Sequence, residues 1–185
     1  HLYAGVEQEA CPLNLAPTAS TTAALALGDA LAVALLESRG FGSEDFALSH
    51  PGGSLGRRLL VHVRDVMHDG ERLPVVGRDV MLKDALLEMT RKGLGMTAVV
   101  DAEGGLCGVL TDGDLRRALD RDIDVRVAGV AEVMTPNPVT IDASRLAAEA
   151  AQIMETRRIN GLLVLDGKKL AGALNMHDLL RARVV

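Results

Sequence analysis

The chain has 185 residues, of which 48% are hydrophobic and 24% charged, a globular composition sized for one medium domain or two small ones. A net charge of −5 argues against nucleic acid or an anionic membrane as the main partner. With only Tyr3, Phe41 and Phe46 as aromatics, no stacking platform for single-stranded nucleic acid can be built.

Cys11 and Cys107 lack metal-ligand spacing and make no disulfide framework, which fits a reducing cytosol. The chain starts at His1 without a charged leader, so we expect no signal peptide and read it as a piece of a longer protein. Leu2 to Val6 reads as the end of a strand. Residues 17–39 form one long apolar helical pattern. Pro17 and the hydroxyls of Thr18, Ser20, Thr21 and Thr22 start it, and Gly40 stops it. Gly28 and Asp29 inside the stretch favour a buried helix of a water-soluble domain over a membrane span. A Gly-rich link, residues 49–56, and the pair Arg57-Arg58 follow.

From residue 61 the sequence repeats itself. Arg64-Asp65-Val66-Met67 answers Ala131-Glu132-Val133-Met134 at an offset of 67, and Ala98-Val99-Val100-Asp101 answers Leu163-Val164-Leu165-Asp166 at 65. Gly108 to Leu115 answers Gly172 to Leu179 at 64. A period near 65 suits a duplicated small domain and is too long for a solenoid unit. Each copy reads strand–helix–strand–strand–helix. In order these are Pro74–Val76, Met81–Lys92, Thr97–Val100, Leu106–Leu110 and Asp112–Leu119, then Val139–Ile141, Ser144–Arg158, Leu162–Leu165, Leu170–Leu174 and Met176–Arg183. The alternation of strands and helices gives an α/β chain, with α+β repeats.

The strongest chemical signal is Gly108-x-x-Thr111-x-x-Asp114 at a strand-to-helix junction. Free N–H groups at a helix N-terminus attract phosphate, and a carboxylate one turn in can accept both hydrogen bonds of a ribose diol. Thr111 on phosphate and Asp114 on ribose make a coherent mononucleotide site. The same residues also make an ordinary capping box, and one copy alone does not choose between the two. The second copy keeps Asp178 and places Asn175 at the cap. A base would lie among Val, Ile, Leu and Met.

Residues 61–185 resemble a tandem pair of CBS domains, a regulatory module known for binding nucleotides between its repeats. The resemblance rests on Val133-Met134-Thr135-Pro136, the paired Gly…Asp motifs and Met176-His177-Asp178-Leu179-Leu180. The first copy departs from it at Met67-His68-Asp69-Gly70, where the family has Thr-Pro. The first 60 residues resemble the end of a sugar isomerase (SIS) domain, a doubly wound parallel sheet. The motifs are Glu9-Ala10-Cys11-Pro12-Leu13, Leu15-Ala16-Pro17-Thr18, Gly28-Asp29-Ala30-Leu31-Ala32 and Ser49 to Gly56. Joined to a CBS pair, they resemble the D-arabinose 5-phosphate isomerases, which interconvert D-ribulose 5-phosphate and D-arabinose 5-phosphate on the way to Kdo and lipopolysaccharide. The resemblance implies a cytoplasmic enzyme whose first half, with its phosphate loop, precedes His1, so that the fragment alone is inactive.

The expected units are 1–60 (end of the SIS domain and linker), 61–124 (first repeat) and 129–185 (second repeat). Aldose–ketose isomerisation needs a base and an acid for the hydroxyls, with no metal or other cofactor required. The resemblance makes Glu9 the candidate base and His50 the candidate for ring opening or proton shuttling. By themselves they read as a solvated loop carboxylate and a turn residue. The expected effector is a ribonucleotide, either CMP-Kdo or an adenine nucleotide, held by Thr111, Asp114, Asn175 and Asp178. Arg116, Arg117 and Arg158 are the candidate cations for a sugar acid. The helix faces of Met81–Lys92 and Ser144–Arg158 suggest a homodimer through the CBS pair and a tetramer in the parent. The competing readings are a stand-alone ligand-binding or dimerisation module and, less well supported, a transcription regulator.

Overall fold

The structure, a computed structural model, describes residues 1–42, 45–46 and 60–185. It divides into two compact units, His1–Ser49 and His50–Val185.

In the first unit helix α1 (Ala19–Ser38) follows Pro17-Thr18 as expected. Two sequence expectations fail there. Leu2–Val6 is not a strand, because no described residue offers a sheet edge to its backbone groups. No residue of α1 is buried, and Leu25, Leu31, Val33 and Leu35 all face solvent. An apolar helix draws most of its stability from tertiary cover, and the described residues supply none here. Among them α1 is the one helix long and apolar enough to cross a membrane.

The second unit holds the duplication. Its first copy contains α2 (Val63–Val66), a 3-10 turn (Gly70–Arg72), β1 (Val75–Gly77), α3 (Leu82–Lys92), β2 (Met96–Val100), β3 (Leu106–Thr111) and α4 (Asp112–Asp120). The second contains α5 (Val130–Val133), β4 (Thr135–Pro136), β5 (Thr140–Asp142), α6 (Ala147–Arg157), β6 (Gly161–Asp166), β7 (Lys169–Asn175) and α7 (Met176–Arg181). The predicted elements are recovered to within a few residues at each end. β1 pairs parallel with β2, and β2 antiparallel with β3; in the second copy β5, β6 and β7 repeat this arrangement. The register slips at corresponding places, between Val99 and Val100 and between Val164 and Leu165.

Why the helices face as they do follows from their spacing. In α3, Leu82, Ala85 and Met89 recur at three- and four-residue intervals and are buried against the sheet. Gly93, in the left-handed region at φ 70°, ends the helix. In α6 the buried face is Ala147, Ala150, Ala151 and Met154. There the terminating residue in the left-handed region is Arg158.

The sequence repeat and the packed half are not the same set of residues. The segment leading into each copy packs in the other. Thr135 and Pro136 of β4 pair with Val109 and Gly108 of β3, extending the first sheet to the order β1-β2-β3-β4. Reciprocally, His68 N–H donates to the Ala173 carbonyl at 2.7 Å, and Ala173 N–H to the His68 carbonyl at 3.0 Å. The same exchange recurs one turn earlier. Val63 N–H reaches Arg145 O at 2.9 Å, and Val130 N–H reaches Val80 O at 3.0 Å. Val63 accordingly sits in the core of the second half with Ile141, Leu162 and Leu174. Val130 sits in the core of the first half with Leu82, Val99 and Leu110. A third cluster, Leu94, Met96, Ala98, Leu163 and Ala173, joins the two.

Two glycines make the exchange sterically possible. A Cβ on Gly108 would meet Met134 Sδ at 2.7 Å and Thr135 O at 2.9 Å. On Gly172 it would meet Met67 Sδ at 2.7 Å and His68 O at 2.9 Å. Backbone oxygens cannot move aside without breaking the added pairing. We therefore expect Gly108→Ala and Gly172→Ala each to destabilise the second unit by about 1–3 kcal/mol in chemical denaturation. Gly77→Ala, with open space at its Cβ, serves as the control. Equal midpoints for all three variants would refute this account.

Candidate functional site

The two strand-to-helix junctions lie where the exchanged segments meet the sheets. In the first, Thr111 ends β3 and caps α4, and Asp114 closes the capping box. Asp114 is only 2% exposed, yet every acceptor site on it is engaged. Its Oδ2 accepts the Thr111 N–H at 2.9 Å and the Thr111 hydroxyl. Its Oδ1 accepts Arg117 Nη2 at 2.6 Å and the Thr135 hydroxyl at 2.6 Å. Burial pushes the Asp114 carboxyl up, but the hydrogen bonds from Thr111, Thr135 and Arg117 outweigh it and hold the group below its ordinary value.

Thr135 belongs to the segment exchanged from the second copy. One buried carboxylate thus joins strand end, helix start and the other copy's lead-in. The capping box uses Oδ2 and leaves Oδ1 to Arg117 and Thr135, so both readings of the motif stay compatible. A diol approaching Oδ1 would take the place of Arg117 and Thr135.

The second junction repeats the frame with different chemistry. The Asn175 side chain caps α7, accepting from His177 N at 2.9 Å and Asp178 N at 3.2 Å. Asp178, 8% exposed, returns Oδ2 to the Asn175 N–H at 2.9 Å. Its Oδ1 lies 2.9 Å from Nε2 of His68, which stands where the first junction has Thr135. Arg181 occupies the position of Arg117 but forms no ion pair with Asp178; instead it lines an open cavity of about 270 Å³ with Arg72, His68 and Asp178.

Arg158 is not brought to either aspartate. It borders another cavity of about 490 Å³, lined by Ala151, Met154, Ile159, Met176 and Val185, that shares no residue with the first. Its apolar wall has the aliphatic and Met character expected of a base pocket. Arg116 donates to the Asp112 carbonyl on the exposed side of α4.

Thr135, His68 and Arg181 were not among the sequence-derived site residues. The offset of 67 that sets Met67 against Met134 also sets His68 against Thr135, so the signal was present in the repeat itself.

In the first unit, Glu9 caps α1. Its Oε2 accepts the Thr18 N–H at 2.7 Å, the Thr18 hydroxyl at 3.0 Å and the Ser20 N–H at 3.2 Å. Hydrogen bonds from Ser20 and Thr18 hold the carboxyl at about 2. This is a structural partner set, and a base held so acidic accepts a proton poorly at neutral pH. His50 lies outside the described residues. Among those described, no cluster of His, Cys, Asp and Glu could hold a metal ion.

Two outcomes follow from the carboxylates. Thr135→Val removes one hydrogen bond to a buried charge and is expected to lower stability at pH 7 by about 1.5–3 kcal/mol. Because the Asp114 carboxyl is held low, its contribution is present above the ordinary carboxylate range and is lost as pH falls through its folded value. The penalty of Thr135→Val should therefore shrink in acid, as read by urea denaturation across pH. The Glu9 cap should likewise hold above pH 4.5 and be lost on acidification toward about 2. Amide exchange at Thr18 and Ser20 reports it, and an unchanged exchange rate in Glu9→Gln at pH 7 would contradict it.

A family model described as CBS domain matches residues 63–121 and 130–185. Over its whole length the chain is similar to the arabinose 5-phosphate isomerase KdsD of Pseudomonas aeruginosa, 63% identical over 186 residues. It is 56% identical over 185 residues to the enzyme of that name from Escherichia coli K12. The chain spans 57% and 56% of those relatives' lengths. Among solved structures, the CBSX2 protein in complex with AMP is 29% identical, with a TM-score of 0.56, over 66% of this chain and 95% of that one. A CBS-domain containing protein from Agrobacterium tumefaciens is 27% identical, with a TM-score of 0.59, over 66% and 92%.

Proposed function

The chain belongs to the CBS domain family, and from that premise we propose that residues 61–185 are the effector-binding module of an aldose–ketose isomerase whose catalytic SIS domain ends in residues 1–60. The observation that carries the isomerase reading is the match over the whole of this chain, at 63% identity, to an enzyme named for arabinose 5-phosphate. On this reading the parent interconverts D-ribulose 5-phosphate and D-arabinose 5-phosphate in the cytoplasm, on the route to Kdo. It assembles as a homodimer through the CBS pair and as a tetramer when its SIS domains also pair.

The effector is a ribonucleotide. Support comes from the Thr111–Asp114 junction and from a 29% identical CBS protein crystallised with AMP. The leading candidates are adenine nucleotides and CMP-Kdo, the activated product of the pathway such an enzyme begins. The ribose hydroxyls go to Asp114, and Arg117, released from it, turns to the ligand's acidic group. Displacing Thr135 from the same oxygen loosens the lead-in of the second copy, which couples occupancy to the fit between the copies.

Catalysis on this reading falls to Glu9 and His50. As the cap of α1, Glu9 serves as base only if the complete SIS domain draws it away from Thr18 and Ser20.

Calorimetric titration with CMP-Kdo, CMP, AMP and ATP tests the effector reading. Asp114→Ala is expected to weaken binding by about 1.5–3 kcal/mol, the range for hydrogen bonds to a charged group. Binding no tighter than millimolar for every nucleotide would leave the module as a dimerisation device. In the full-length enzyme, Glu9→Gln and His50→Asn are each expected to cut turnover by orders of magnitude without unfolding it. Near-normal rates in both would remove them from the catalytic site.

A further inference from the structure

The two junctions share one backbone frame but present different surfaces, and one residue makes the difference. In the first, a hydroxyl from the exchanged segment leaves room on Asp114 Oδ1 for Arg117, so the guanidinium is spent inside the protein. In the second, the exchanged segment brings His68, whose ring takes Asp178 Oδ1 at 2.9 Å. Arg181, at the position of Arg117, then has no ion pair among the described residues and lines the cavity. Arg72 stands on the same wall, paired at 2.7 Å with Asp69. Asp65, the one further acid lining the cavity, lies 3.8 Å from His62.

We infer that the cavity bounded by Arg181, Arg72 and the His68–Asp178 pair is a site for a compact oxyanion, the phosphoryl or carboxyl group of a small polyol metabolite, and that His68 sets this specificity. The His68 ring holds Asp178 Oδ1, so what this junction offers a ligand is the charge of Arg181, which a neutral sugar cannot match. An unpaired guanidinium presents two parallel N–H donors matched to carboxylate or phosphate. A volume of about 270 Å³ has room for a group of that size. The inference deepens the effector reading, on which it rests, by giving the second cleft a ligand class different from the first.

The test uses the 185-residue chain, with site-resolved NMR on second-copy amides and calorimetry. The probes are ribose 5-phosphate, gluconate and neutral D-ribose at pH 7.5. Ribose 5-phosphate or gluconate should shift the amides around Asp178 and Arg181, the tighter of the two naming the phosphoryl or carboxyl source; ribose should not. Arg181→Ala should weaken binding at least ten-fold. His68→Thr, which copies the first junction, should do the same by letting Arg181 fold onto Asp178. His68→Gln keeps a donor for Asp178 and should retain affinity within about three-fold, which separates specificity from simple loss of folding.

Unchanged affinity in Arg181→Ala and His68→Thr, equal binding of ribose, or no shift at the second junction each overturns the inference. If AMP still binds at Asp114 in those cases, the effector reading survives alone. If no nucleotide binds while gluconate or ribose 5-phosphate does at Arg181, the oxyanion site survives alone.

Discussion

The second unit depends on the reciprocal docking of two short backbone segments. A three-stranded sheet with one helix layer leaves an edge of unpaired N–H and C=O groups, and such edges invite wrong partners. Each edge here is closed by the other copy's lead-in, through His68 on Ala173 and Thr135 on Val109. The docking works only because Gly108 and Gly172 lack side chains where Met134 and Met67 cross. The same segments deliver Val63 and Val130 to the opposite cores, so hydrophobic burial and strand pairing enforce the same arrangement.

The site chemistry is built on that docking. Thr135 and His68 are the residues just past the crossing methionines, and each lands on the buried aspartate of the other copy. A carboxylate nearly out of water must be matched by donors. Here the donors arrive from across the pseudo-symmetric joint, which makes the aspartates the natural points at which a ligand could sense the joint. Where the donor is a hydroxyl, the neighbouring arginine is held; where it is an imidazole, the arginine is left to solvent.

Much of this was legible in the sequence. The period of about 65, the strand and helix spans and the capping geometry at Thr111 and Asn175 follow from local patterns that tertiary packing reinforced. The exchange was not legible, because nothing in residues 61–68 says which sheet they will join. A repeat boundary marks similarity, whereas packing is decided by edges distant in the chain, more than a hundred residues away for His68 on Ala173. Arg158 closes α6 beside a cavity of its own, away from both aspartates, and a sequence pattern does not show which cavity a helix end will border. The motif points to Glu9, but its hydrogen bonds to Thr18 and Ser20 depend on a loop closure that residue types alone do not reveal. The expected burial of α1 failed because an apolar pattern announces a need for cover without naming what provides it.

The exchange also orders events during synthesis. The segment ending at His68 leaves the ribosome early, but its partner Ala173 is made about a hundred residues later. At about 5–20 residues per second, that leaves it waiting for roughly 5–20 s. The first copy, by contrast, can close as soon as Pro136 has emerged, since β4 completes it. The nascent chain thus carries a finished first half with a loose leading arm, and the arm finds its place only when β7 appears. A ribosome pause before β7 would lengthen the life of that half-built state, with Val63 and Met67 still uncovered.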